Sequence, residues 1–176
     1  MLHEETRSQW ERYNPQHFIN TVMHGALQDK IKLTSTVIHV YTQIIFRLPE
    51  TDTVLLADPM PGDLPTTGLR DVFVTMRWNA AEMVDIIQGG SATLPTQYTP
   101  ALYITSMVQA LKEHAVYIHQ AASALQADPA VRAIRRRLPN GKGMAEVAAE
   151  ILDHTTEIIR FLNFAQYYVD KLKTCA

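Results

Sequence analysis

The chain has little of what usually reveals a function. It contains one cysteine, Cys175, so a disulfide framework is impossible within one chain and a reducing compartment is expected. Its charges nearly balance at a formal net charge of −2, which removes global positive charge as an argument for nucleic-acid binding. No apolar run approaches the roughly 20 residues that span a bilayer, and the N-terminus lacks the apolar core of a secretory signal. We therefore expect a soluble cytoplasmic protein without membrane contact.

Catalytic motifs are also missing. The sequence contains no P-loop, no Gly-x-Gly-x-x-Gly and no Gly-x-Ser-x-Gly. Cys175 lies in a terminal segment that we expect to fray, where no base would be held beside it. The sequence thus favours a non-enzymatic protein without a cofactor or a bound metal.

Helical signals are abundant. Three pairs, Asn14-Pro15, Thr99-Pro100 and Asp128-Pro129, join a side chain that can cap free N–H groups to a proline, which fits the first helical position. Apolar residues recur with helical period after each pair, and no stretch shows the alternation of strands. We predict one all-α domain over 1–176, an antiparallel bundle of four main helices at about 15–48, 68–88, 100–126 and 143–173. Short helices are predicted near 4–12 and 129–138.

The sequence leaves open one feature of the first main helix and predicts where the second one ends. It leaves open whether the first helix is continuous past Gly25 and the Thr34-Ser35-Thr36 run. The apolar residues of this helix at helical spacing are Ile19, Val22, Met23, Ala26, Leu33, Val37, Val40, Tyr41, Ile44 and Leu48. The second main helix is predicted to end at Gly89-Gly90, because glycine readily adopts the positive φ that ends many helices.

Two segments, 37–48 and 158–169, are apolar around most of a helical circumference. Either they are central within the bundle or one face meets another chain. Trp78 falls away from the apolar face of its helix, so it is either covered by the 49–67 connection or exposed as an interface residue. The residues predicted to mediate association are Trp78, Phe161, Phe164, Tyr167 and Tyr168.

A basic cluster follows Asp128-Pro129. Its members, Arg132, Arg135, Arg136, Arg137 and Lys142, lie within eleven residues, and arginine suits phosphate contacts. No aromatic residue interleaves with them, so stacking on single-stranded bases is not indicated. The cluster fits an anionic protein surface, a nucleic acid or plain solvated charge.

The histidines and carboxylates of the chain are candidate metal ligands. The chain has seven histidines, but no two helices supply the matched carboxylate–histidine pairs of a bundle metal centre. Glu146, Glu150, Asp153 and Glu157 form a stripe along the last helix, which is typical of a solvated face.

The sequence therefore predicts a protein that acts by protein–protein association, as an adaptor, an inhibitor or a subunit of a larger assembly. Self-association as a homodimer is favoured. The alternatives left open are a nucleic-acid-contacting subunit that uses the 132–142 cluster and a helical-bundle metalloprotein.

Overall fold

A computed structural model describes residues 14–60, 68–93 and 99–175. Within these ranges every regular element is helical, which confirms the predicted all-α bundle. The predicted short helix near 4–12 lies outside the described residues. No helix in the described part combines the length and the apolar character that a membrane crossing requires.

The first main helix, α1, covers residues 15–45 without a break. It comprises an α-helical start at Pro15–Phe18, a π-helical stretch at Ile19–Leu27 and a longer α-helical part at Gln28–Ile45. Gly25 therefore does not interrupt the helix but lies in the wider π-helical turns. The Asn14 side chain accepts hydrogen bonds from the backbone N–H groups of Gln16 and His17, as the cap–proline pair predicts.

The remaining elements follow in the predicted order. They are α2 (Glu50–Thr53), α3 (Leu69–Thr93), α4 (Pro100–Ala127), α5 (Pro129–Arg132) and α6 (Met144–Cys175). The predicted helix over 129–138 is shorter than expected, because only its first four residues are helical. The predicted stop at Gly89-Gly90 is wrong, since α3 continues through both glycines to Thr93.

Contacts near the helix ends set the helix directions. Arg70, at the start of α3, pairs with Asp52 just after α1, whereas His24 in the first half of α1 hydrogen-bonds Tyr103 at the start of α4. Tyr41 meets Glu150 near the start of α6. Consecutive main helices are therefore antiparallel, and α1 lies between α3 and α6 in the bundle.

The core is formed by one face of each main helix. On α1 it is the isoleucine series Ile31, Ile38 and Ile45, spaced by seven residues and fully buried. On α6 the apolar face from Met144 through Val169 is buried. Val131 and Leu138 anchor the irregular 133–143 connection, and Gly141 adopts a φ of 82° in the Pro139-Asn140-Gly141 turn.

Candidate association surfaces and the basic turn

Helix α1 carries a second apolar face that the described part of the bundle covers only in part, because Val37 and Ile44 pack against the core. Leu33 and Val40 are 48% and 46% exposed, and Val37 and Ile44 are half-buried. At about 100° per residue these four side chains fall within about 60° of one another. We call them the outer seam. The core-facing position of α1 is occupied by Ile31, Ile38 and Ile45 instead.

A cavity of about 340 Å³ opens beside the outer seam. Val37, Val40 and Ile44 form its apolar wall on α1, Pro139 and Asn140 close it from the turn before α6, and Glu150 of α6 lines the remaining side. The cavity is therefore an extension of the outer seam toward α6, bounded by apolar side chains on most sides.

A small polar network forms the far wall of this cavity. Tyr41 donates its hydroxyl to Glu150, Asn140 Nδ2 donates to Tyr41 Oη at 3.1 Å, and Lys142 Nζ lies 3.1 Å from Glu150 Oε2. Burial and the bond to Glu150 raise the pKa of Tyr41. Burial alone raises the pKa of Glu150, but the bonds from Tyr41 and Lys142 outweigh it, and the net pKa of Glu150 is lowered.

These shifts bear on the chemistry of the network. A carboxylate of lowered pKa is a weak base, and a tyrosine of raised pKa stays protonated at neutral pH. Neither group is prepared for proton transfer. The network instead holds the turn at Pro139-Asn140 against α1 and gives the cavity a fixed shape.

The basic cluster lies at the same end of the bundle, and most of its charge is paired. Arg136 Nε binds Glu50 Oε1 at 2.8 Å. Arg137 lies 3.2 Å from Glu146 and donates to the carbonyl of Gly141 at 2.7 Å.

With the Lys142–Glu150 pair, three of the five cations thus have a carboxylate partner. Arg132 and Arg135 are exposed and form no ion pair with a described residue. The sequence presents the basic cluster and the acidic stripe of α6 as separate features, but two members of each pair with one another, at Glu146 and Glu150.

The Trp78 surface lies on α3 next to α4. Trp78 is 59% exposed and Val74, one turn earlier, is 46% exposed, so the described part of the 49–67 connection leaves the indole open to solvent. The indole edge meets the ring of His114, with centroids 6.1 Å apart. His114 Nδ1 donates to Asn79 Oδ1 at 2.7 Å, which fixes the imidazole under the tryptophan.

The aromatic residues of α6 divide into exposed and buried members. Phe164 and Tyr167 are exposed, and Lys171 lies over the Tyr167 ring at 5.3 Å. Tyr168 is only 3% exposed and stacks on Phe18 with centroids 3.9 Å apart. The expectation that Tyr168 meets a partner is therefore corrected, since its ring is used within the chain.

Phe161 is half-buried against the core. It therefore offers a partner less surface than Phe164 or Tyr167.

The histidines are distributed among local contacts. His24 bonds to Tyr103, His114 to Asn79, and His119 Nδ1 lies 3.4 Å from Thr155 Oγ1. His154 has a buried Nδ1 without a hydrogen-bond partner among the described residues, and burial together with the charge of Lys30 lowers its pKa. No group of three or more His, Cys, Asp or Glu side chains in the described ranges is placed to hold a metal ion.

The sequence matches no protein-family model, and no curated protein or solved structure is significantly similar to it. The exposed surfaces and the cavity of the chain are therefore the basis for the functional proposal. Sequence reasoning missed the outer seam as a surface and missed the cavity. The signal for the seam was present in the spacing of Leu33, Val37, Val40 and Ile44, but the same spacing also suits a buried face.

Proposed function

We propose that this chain is a non-enzymatic helical protein that acts by protein–protein association, and that its first partner is a second copy bound through the outer seam of α1. The observation that carries the proposal is the exposure of Leu33 and Val40 on one continuous apolar face that also includes Val37 and Ile44. A helix with two apolar faces needs a partner on each, and the described part of the bundle covers the second face only in part.

The composition of the seam fits a pair of identical helices. Leu33, Val37, Val40 and Ile44 follow the d-a-d-a spacing of a heptad, the spacing at which two helices pack side chains into each other's holes. Thr36 and Gln43, on the flank of the seam, are uncharged. Charges at flanking positions select a different partner or repel an identical one, and the middle of this flank carries none.

The charges at the two ends of the seam also suit a second copy. Asp29 lies one turn before Leu33, and Arg47 lies in the turn directly after α1; both are exposed. Neither forms an ion pair with another residue in the described part of the chain. One copy therefore presents an unpaired anion and an unpaired cation at opposite ends of the same face.

The size of the seam sets the expected strength. Leu33 to Ile44 covers about 16 Å of helix. A contact of this length does not bury the roughly 1,000 Å² of surface that specific interfaces usually exceed. We expect a concentration-dependent dimer with a Kd of about 10 to 100 μM, corresponding to about 5.5 to 7 kcal/mol. The Val74–Trp78 and Phe164–Tyr167 surfaces do not belong to the seam and would remain for a foreign partner of an adaptor or assembly subunit.

Sedimentation velocity over a concentration series tests the proposal with a matched pair of variants. Val40 and Val74 are equally exposed, each on a main helix. Val40→Glu should abolish the dimer, whereas Val74→Glu should leave it unchanged, with circular dichroism confirming that both fold. A wild-type chain that stays monomeric at millimolar concentration would refute self-association, and loss of the dimer only in Val74→Glu would place the interface at Trp78.

Nucleic-acid contact is the second candidate, since Arg132 and Arg135 are exposed and unpaired. Pairing of Arg136, Arg137 and Lys142 leaves a weak positive surface, so we expect no specific binding. Fluorescence anisotropy with a labelled oligonucleotide at two salt concentrations tests this. Affinity that rises as salt falls, and that Arg132→Glu with Arg135→Glu removes, would favour the nucleic-acid reading.

A further inference from the structure

We propose that the two copies bind antiparallel, so that Leu33 of each chain enters the cavity beside Val40 and Ile44 of the other. This inference rests on the proposed function, because it requires that the outer seam bind a second copy. It assigns an occupant to the cavity beside the outer seam.

The positions of the cavity and of Leu33 favour the antiparallel register. The cavity lies at one end of the seam, along Val37, Val40 and Ile44, whereas Leu33 lies beyond it at the other end. When two such helices pair antiparallel with Val37 opposite Val40, Leu33 falls opposite Ile44. Each chain then inserts one leucine into one cavity, twice by symmetry.

A parallel pair would leave both cavities without an occupant. Leu33 would meet its own counterpart, and the two cavities would face each other with no side chain to fill them. Atoms that line an unfilled space lose their dispersion contacts, so the parallel arrangement buries the seam without filling the cavities.

The cavity has room for this occupant. An apolar cavity of about 150 Å³ accepts benzene, and a leucine side chain has fewer carbon atoms than benzene. The volume of about 340 Å³ therefore admits the Leu33 side chain together with part of its helix backbone. On the polar wall, the Tyr41 hydroxyl and Glu150 Oε2 are hydrogen-bonded within the chain and do not require a polar group from the occupant.

The end charges distinguish the two registers independently. In the antiparallel pair, Asp29 of one chain lies next to Arg47 of the other, and both positions are on the same flank of the seam. In the parallel pair, Asp29 and Arg47 stay about 27 Å apart along the helix axis, and equivalent positions of one flank face opposite sides of the interface. Two new ion pairs therefore form in the first arrangement and none in the second.

Disulfide cross-linking reads the register directly. Cys175 is the sole cysteine, so Leu33→Cys and Ile44→Cys can each be made in a Cys175→Ser background. A disulfide needs Cα atoms within about 7 Å, whereas residues 33 and 44 lie about 16 Å apart along one helix. The antiparallel pair predicts that a mixture of the two variants, one of them labelled with ¹⁵N, forms the mixed disulfide, with little of either homodisulfide.

The outcomes separate the two proposals. A mixed disulfide supports the register, and homodisulfides of each variant alone would show a parallel pair and overturn it. A dimer that none of these variants cross-links would also overturn it, because the seam would then lie elsewhere. A monomeric wild-type chain overturns the proposed function together with the register. Val74→Cys in the same background is the control and should not cross-link.

A charge exchange provides the second measurement. Asp29→Arg should weaken the dimer about tenfold by placing two cations together, as should Arg47→Asp by placing two anions together. The double variant should restore wild-type affinity in the antiparallel pair, because the attraction is recreated with opposite sign. Failure of the double variant to recover at least half of the lost affinity would overturn the register.

Discussion

Replacement of Asp128 tests how one side chain stabilises the junction between α5 and the segment that follows α2. Asp128 caps α5 and is 1% exposed. Its Oδ1 accepts the N–H groups of Ala130 and Val131 at 2.9 and 3.3 Å and that of Ala57 at 3.2 Å, while Oδ2 accepts the N–H of Asp58 at 3.0 Å. One carboxylate thus joins the start of α5 to the segment that follows α2.

The expected cost follows from these bonds. Loss of an N-cap costs about 1 kcal/mol, and each of the two further charge-assisted bonds contributes about 1 kcal/mol. We expect Asp128→Ala to lower the free energy of unfolding by about 3 kcal/mol. Asp128→Asn keeps one oxygen for the three N–H groups at Oδ1 and turns its amide nitrogen toward Asp58, so it should cost only about 1 kcal/mol.

Urea unfolding followed by circular dichroism measures both effects. With a slope of about 2 kcal/mol/M, the midpoint should fall by about 1.5 M in Asp128→Ala and about 0.5 M in Asp128→Asn. Asp153→Ala, on an exposed position of α6, is the control and should stay within about 0.5 kcal/mol. A cost below about 1 kcal/mol for Asp128→Ala, or equal costs for the two Asp128 variants, would refute the reasoning.

The same group predicts a pH dependence. Burial raises the pKa of Asp128, but the four backbone N–H bonds together outweigh it, so the net pKa is lowered in the folded chain. Its stabilising contribution is then complete above the unfolded pKa of about 3.9 and is lost as pH falls through the lower folded pKa. The stability difference between wild type and Asp128→Asn should therefore be constant near neutral pH and shrink below about pH 4. A difference that grows on acidification would contradict this.

Three further changes test the packing and the polar network. Phe18→Ala should lower the free energy of unfolding by about 3 kcal/mol, because Phe18 is buried and stacked on Tyr168; thermal unfolding checks this. Phe164→Ala, half exposed on the same helix as Tyr168, should cost less than about 1 kcal/mol in the same assay. Tyr41→Phe should cost about 1 kcal/mol in urea unfolding, because Glu150 and Asn140 both lose their bond to the hydroxyl; an unchanged midpoint would show that water replaces both bonds.

The helix starts could be predicted because they depend on local chemistry. Asn14, Thr99 and Asp128 each accept backbone N–H groups of the helix that they precede. The end of α3 could not be predicted in the same way. Glycine lowers helix propensity by about 1 kcal/mol but does not force the chain out of a helix, so α3 passes through Gly89-Gly90 to Thr93.

The pairing of charges could not be predicted either. The acidic stripe and the basic cluster are separate patterns in the sequence, and each is typical of a solvated face. Their meeting depends on the path of the 133–143 connection, which returns Arg137 and Lys142 to the first turns of α6. Arg136 pairs with Glu50, 86 residues earlier, and no local pattern indicates that contact.

Helix α1 shows most clearly that sequence periodicity alone does not predict which apolar residues are buried. Its two apolar series, Ile31-Ile38-Ile45 and Leu33-Val37-Val40-Ile44, have helical spacing and lie about 130° apart around the helix. A helix at the corner of a four-helix bundle is covered only on the side that faces its two neighbours, here α3 and α6. The main helices of the described part therefore cannot bury both series. The presence of two series predicts an exposed apolar face, but only the packed structure shows that the isoleucines lie inside and that Leu33 and Val40 remain outside.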